Sequence, residues 1–171
     1  MLFRSNKPAG VLSATEDKNC PTAASLLPEE YTRRGLGVVG RLDKDATGLL
    51  LITDDGQLNH RLTSPKSSTP KIYHVTTDKM PPHTAAEIFS QGMDLGDFTT
   101  QPAKLIINED HCLVEITEGK FHQVKRMFAK IGLTVLTLKR LKIASLRLDE
   151  SLQEGEWRLL TEKEENELFA F

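Results

Sequence analysis

Apolar positions along this chain gather in short clusters separated by polar turns, and the longest unbroken run is Leu49-Leu50-Leu51-Ile52. That run, extended by Thr53 and closed by Asp54-Asp55-Gly56, predicts a buried strand, with Val38-Val39 predicting another ahead of it. Lys71 to Thr77 alternates and is rich in β-branched and aromatic residues, so it predicts a strand. Ala103 to Ile107 and Cys112 to Thr117, separated by Asn108-Glu109-Asp110, predict a hairpin. Thr134 to Leu138 and Ile143 to Leu148 predict two further strands. Helical spacing is strongest in Phe121, Val124, Met127, Phe128 and Ile131, which are expected to point inward and leave Lys125, Arg126 and Lys130 on the other faces, with Gly132 as the stop. Shorter helices are expected over Thr22 to Leu27, ended by Pro28, over Gln57 to Thr63 and over His83 to Gln91. A terminal helix runs from Thr161 to Phe169, capped by Thr161 with Glu164 three residues on. Met1 to Ser5 gives no packing signal, and Asn6 to Gly10 reads as a turn.

Strands broken by helices at irregular intervals, with hairpins in place of regular βαβ spacing, predict an α+β fold on a mixed, largely antiparallel central sheet flanked by helices. Residues 1–171 read as one domain, or as two lobes sharing one sheet, without repeats or linkers. A hydrophobic fraction of 39% with 27% charged residues excludes collagen-like and disordered classes. The longest apolar run is far below the roughly 20 residues of a membrane span, and no apolar signal region opens the chain, so a cytoplasmic monomer with no membrane partner is expected. Cys20 and Cys112 are too far apart in sequence for a zinc knuckle and are expected as free thiols. No pair among His60, His74, His83, His111 and His122 has the helix-face spacing of a zinc enzyme, so no metal is expected.

The charges nearly cancel, 22 Lys+Arg against 24 Asp+Glu, but they are segregated. From Gly119 to Lys142 every formal charge is positive, whereas the tail from Asp149 onward is acidic apart from Arg158 and Lys163. Clustered cations fit a phosphate-bearing partner, although a solvated helix face has the same signature.

Gly35 to Gly40 matches the G-x-G-x-x-G letters of a dinucleotide site but has neither the preceding strand nor the following helix, and is set aside. Gly40 to Leu51 is different in kind. It places Asp43 and Asp45 among basic neighbours, between glycines that permit close backbone approach, directly before a buried strand. By itself this is also what a carboxylate-capped turn looks like. A carboxylate that stays ionised beside RNA needs a cation next to it, and Lys125, on the 121–131 helix, is the best candidate.

Gly40 to Leu51, Lys71-Ile72-Tyr73 and Glu118 to Phe128 together resemble the bacterial ribosomal pseudouridine synthases of the small-subunit, RsuA-like type. Asn6-Lys7-Pro8-Ala9-Gly10, Thr53 to Leu58 with His60-Arg61 and Thr63-Ser64-Pro65, and Gly155-Glu156-Trp157-Arg158 follow in the same order, so the resemblance covers nearly the whole chain. It implies a cofactor-free isomerase that detaches uracil at N1, turns it and rejoins it through C5. The target it implies is a uridine of ribosomal RNA, 16S small-subunit RNA first and 23S large-subunit RNA as the alternative, met within a partly assembled ribosomal particle. A non-catalytic RNA-binding or assembly protein on the same scaffold is the alternative class. Position by position, the resemblance makes Asp43 the catalytic aspartate, Tyr73 the aromatic residue against the base and Lys125 the partner of Asp43. Arg41 matches an arginine that holds the RNA with its nucleotide flipped out, and His122, Gln123, Arg126, Lys139, Arg140 and Lys142 are the further expected RNA contacts. Members generally carry a small N-terminal RNA-binding domain, and this chain, opening almost at Asn6-Lys7-Pro8, is expected to lack it.

Overall fold

The computed structural model describes residues 1–171. Nine strands form one sheet: β1 (Leu2–Lys7), β2 (Gly37–Val39), β3 (Thr47–Thr53), β4 (Lys71–Thr77), β5 (Lys104–Ile107), β6 (Cys112–Ile116), β7 (Val135–Ile143), β8 (Leu146–Arg147) and β9 (Trp157–Leu159). The helices are α1 (Glu29–Thr32), α2 (Gly56–Thr63), α3 (Ala85–Ser90), α4 (Gln123–Lys130) and α5 (Glu162–Phe169). The sheet runs β5-β6-β4-β7-β3-β1-β9, with β2 added to β3 and β8 to β7. All pairs are antiparallel except β3 with β7.

That parallel joint is short, only Thr47 with Lys139 and Gly48 with Arg140. Farther along the same edge of β3, residues 51–53 pair with β2 instead. The sheet therefore forks at β3, and the gap between β2 and β7 becomes a cleft. Gly48 makes the joint possible: at φ +103° it lies so close to β7 that a Cβ would sit 2.3 Å from the Arg140 carbonyl oxygen.

Each half-sheet has its own core. Val75, Val114 and Ile116 of the β5-β6-β4-β7 half pack under Phe89 of α3 and Val124, Met127 and Phe128 of α4. β3 is buried on both faces: Leu49 and Leu51 meet α2 and α5, while Leu50 and Ile52 meet Phe3 and the 11–36 segment. This double burial is why β3 reads as an unbroken apolar run.

Three expectations are corrected. Residues 2–7 form β1, every residue buried between β3 and β9. The strand expected over 134–138 extends as β7 straight through Lys139, Arg140 and Lys142 to Ile143, and the one expected over 143–148 is reduced to the short β8, Leu146–Arg147, which folds back on it. Phe121 precedes α4 and faces solvent. The short α1 and β9 were not predicted at all. The α2 helix is capped by Asp55, whose carboxylate accepts from the Gln57 and Leu58 amides, and α5 carries the expected Thr161–Glu164 capping box. No helix is long and apolar enough to cross a membrane.

Candidate active site

The fork opens into a cavity of about 920 Å³ lined by Arg41, Asp43, Lys71, Tyr73, Phe121, His122 and Arg140, among others. That is room for a nucleoside with its phosphates outside. Three segments supply its chemistry: the loop from Gly40 to Ala46, the floor strands β4 and β7, and the turn from Glu118 into α4.

The Gly40–Ala46 loop is held at both neighbours of Asp43. The Ser13 hydroxyl accepts from the Leu42 amide at 2.9 Å and donates to the Leu42 carbonyl at 2.8 Å. The Lys44 carbonyl accepts from the Gly10 amide at 2.8 Å and from Lys7 Nζ at 3.2 Å. Lys7 is fully buried and also donates to the carbonyls of Pro8 and Val11. Burial pushes its ammonium down to about 8, against the pull of Asp45 and Asp43. From the opposite side Arg140, 1% exposed, donates Nε to the Leu49 carbonyl at 2.8 Å and Nη2 to the Gly40 carbonyl at 3.1 Å. The loop is thus fixed by hydrogen bonds at Gly40, Leu42 and Lys44, which leaves the Asp43 carboxylate little freedom.

That carboxylate meets α4. Lys125 Nζ lies 3.1 Å from Asp43 Oδ2 and 2.7 Å from Asp45 Oδ1, and His122 Nε2 lies 3.3 Å from Asp43 Oδ1. The sequence reading paired Lys125 with Asp43; the structure adds Asp45 and His122 to the cluster. Burial lowers the affinity of Lys125 for its proton, but hydrogen bonds to Asp45 and Asp43 outweigh this and hold its pKa above the usual value. The same bond keeps the Asp45 carboxyl below the usual carboxylate range. A lysine so placed stays charged and presents Asp43 as an oriented anion.

Tyr73 stands on the floor, 6% exposed and directly opposite Arg140 across β4 and β7. Lys71, two residues along β4, lines the same cavity, and burial together with the Arg140 charge pushes it down to about 8, partly offset by Glu118. Neither Lys7, Lys71 nor Glu118 was singled out as a functional residue from sequence. Lys7 falls in a turn signal, Lys71 opens a strand pattern and Glu118 follows one, and all three lie in segments that carry the family resemblance without any local mark of their role.

The expected RNA contacts divide. Arg41 is exposed at the cavity and His122 lines it. Arg140 lines it too, but it is buried and two of its three guanidinium nitrogens, Nε and Nη2, donate to main-chain carbonyls, so the sequence expectation of a free phosphate contact is corrected to a loop-bracing role that leaves only Nη1 without a partner. Gln123 is corrected likewise: it is buried, its amide donating to Glu118 Oε1 at 2.8 Å and accepting from the Lys120 amide at 3.1 Å, which braces the turn into α4. Arg126 forms an ion pair with Asp97, donates to the Leu95 carbonyl and lies over the Phe98 ring. Lys139 and Lys142 pair with His74 and Ile72, so they lie on the face of the sheet opposite Tyr73.

Comparisons with known proteins bear on the family and the fold. The family model described as RNA pseudouridylate synthase matches residues 2–130. The chain is 48% identical over 162 residues to the ribosomal small subunit pseudouridine synthase A of Vibrio cholerae, covering 93% of this chain and 70% of that protein. It is 43% identical over 165 residues to the protein of the same name from Escherichia coli K12, covering 95% and 71%. A crystal structure of a pseudouridylate synthase superposes with a TM-score of 0.92 at 42% identity, covering 98% of this chain and 73% of the other. The archaeal box H/ACA Nop10–Cbf5 complex shares the fold alone, with a TM-score of 0.58 at 13% identity over 90% of this chain and 50% of that one.

Proposed function

The chain belongs to the RNA pseudouridylate synthase family, and from that premise we propose that it isomerises a uridine of ribosomal small-subunit RNA to pseudouridine, with Asp43 as the catalytic carboxylate. The observation that carries the reading is the fixed Asp43 carboxylate, held 3.1 Å from Lys125 in the same cavity as the buried Tyr73 ring. A uridine stacked in RNA is out of reach of such a recessed group, so the nucleotide swings out and enters the cavity. Tyr73 then replaces the lost stacking beneath the base. Asp43 acts on the sugar as the N1 glycosidic bond opens, Lys125 and His122 keep its charge in place, and the freed uracil turns on Tyr73 to present C5 to the same carbon. The exchange is completed when C5 loses its proton and N1, the former leaving atom, takes one up, and on this reading the Tyr73 hydroxyl relays it, giving its own proton toward N1 as it accepts the one from C5.

Arg41, exposed on the cavity and in no ion pair, is the cation assigned to the RNA backbone at the rim. The small-subunit target follows the names of the relatives from Vibrio cholerae and Escherichia coli. On this reading residues 1–171 are one catalytic domain of two lobes on a forked sheet, acting as a monomer in the cytoplasm on RNA folded within a partly assembled particle. The test is product analysis of 16S and 23S RNA incubated with the protein and with Asp43→Asn. Pseudouridine in 16S RNA from the unaltered chain and none from the variant, at an unchanged thermal midpoint, is the expected result. Turnover by Asp43→Asn within about tenfold of the unaltered chain would overturn the assignment.

A further inference from the structure

Phe121 is the most exposed large apolar side chain in the molecule, at 76%, and the one among those exposed side chains that lines the cavity. Its position is held from beneath. The ring stacks on the His122 imidazole with centroids 3.8 Å apart and planes 19° from parallel, and His122 in turn reaches Asp43. His122 adopts φ +49°, a backbone conformation unfavourable for a residue with a β-carbon, and in it the imidazole lies between Phe121 and the carboxylate. The turn that carries both rings is braced by the buried Gln123 and by Lys120, whose ammonium lies 4.3 Å from the centre of the Phe98 ring. The outer face of Phe121 is therefore an open, oriented aromatic surface at the mouth of the cavity whose floor ring is Tyr73.

Two aromatics at two depths of one cavity suit two bases. Drawing one nucleotide out of a stack leaves its neighbour with a bare face, and an aromatic side chain is the sequence-tolerant group that covers it. Resting on the function proposed above, we infer that the Phe121–His122 stack is a binding platform for an unpaired nucleobase adjacent to the flipped uridine. The ligand is recognised by its π face, so any of the four bases serves. Arg41, on the same cavity, is placed for the phosphate between the two nucleotides. The platform also works inward: a base pressed on Phe121 holds His122 against Asp43, so occupancy by RNA steadies the carboxylate.

The probe is a short oligouridylate carrying one internal 2-aminopurine, whose fluorescence is quenched when it stacks. It is titrated with Asp43→Asn protein, which leaves Phe121 in place and arrests turnover. Quenching on binding is expected. Adding Phe121→Ala or Phe121→Leu should abolish the quench and weaken binding roughly tenfold, the effect of one lost base–aromatic stack, whereas Phe121→Tyr should keep both. Thermal midpoints should not move, since the ring is exposed. Absence of quenching with Phe121 in place, or equal quenching with Phe121→Ala, would overturn the inference. Pseudouridine formation by the otherwise unaltered chain is scored separately, so a failed platform with intact product formation leaves the proposed function standing. The reverse result separates the two the other way.

Discussion

Lys139 and Arg140 are neighbours in one strand and carry the same charge, yet they do different things. Arg140 shares its row with Tyr73, is 1% exposed and gives its guanidinium to the carbonyls of Leu49 and Gly40. Lys139 shares its row with His74 on the other face, where His74 stacks on His111. Strand alternation alone makes the division, since successive side chains leave opposite faces. The lesson reaches the whole basic block from Gly119 to Lys142, which as a string of charges looks like one patch for phosphate. Folded, it separates into cations that build the cavity, cations tied to neighbouring loops, and a few left to solvent.

Four variants break or sharpen the contrast between these faces. Tyr73→Phe removes only a hydroxyl from the cavity side, and turnover should fall roughly 10²–10⁴-fold, the usual worth of a positioned proton-transfer group, while RNA affinity and thermal midpoint hold. Single-turnover kinetics beside a binding titration checks it, and equal turnover would confine the hydroxyl to a structural role. Arg140→Met should do the reverse and act first on stability. It strands two carbonyl acceptors, at a cost of about 3 kcal/mol or roughly 6–12 °C in the melting temperature, read by thermal denaturation. A variant melting with the unaltered protein would show that the loop does not depend on this side chain.

The third variant uses pH. Lys71 and Lys7 bind their protons less tightly folded, at about 8, than unfolded, at about 10.4. Between those values the unfolded chain binds more protons, so these two groups make stability rise with pH through that window. Lys71→Met should reduce their part of the rise by about half, leaving Lys7 to supply the remainder, and denaturant midpoints across the window measure it. An unchanged slope would mean that Lys71 is not desolvated as its place in the cavity implies. The smallest effect belongs to the open face. Lys139→Gln with Lys142→Gln should leave the melting temperature within about 1 °C and lower the slope of log affinity against log salt by less than about 1. A fall near 2 would mean that RNA wraps onto the face opposite Tyr73.

What was legible in the sequence was whatever declares itself locally. Leu49 to Ile52, buried on both faces, appears as an unbroken run; β4 and the β5–β6 hairpin appear through alternation and a polar turn; Thr161 and Glu164 announce the start of α5. The Asp43 loop and Lys125 stood out because a carboxylate among cations and a basic helix are local patterns. Their ion pair across 82 residues of chain was then reached by asking what an ionised carboxylate needs.

β1 was illegible because four of its six residues, Arg4-Ser5-Asn6-Lys7, are polar, and nothing nearby in sequence says that they are buried. Their partners come from afar: Arg4 meets Glu164 and the Arg147 carbonyl, Asn6 donates to the Leu152 carbonyl, and Lys7 reaches the Lys44 carbonyl. Phe121 was misread for the converse reason. Its spacing fits the apolar face of a helix, but α4 starts only at Gln123, after the left-handed turn at His122. The sequence by itself thus determined those strands and helices whose apolar side chains repeat locally, and which residue types carry the chemistry, because burial of apolar side chains is written in local periodicity. Only the tertiary structure decided which polar groups are buried and which cations remain free, because a polar group is stable inside only when distant segments bring it a partner.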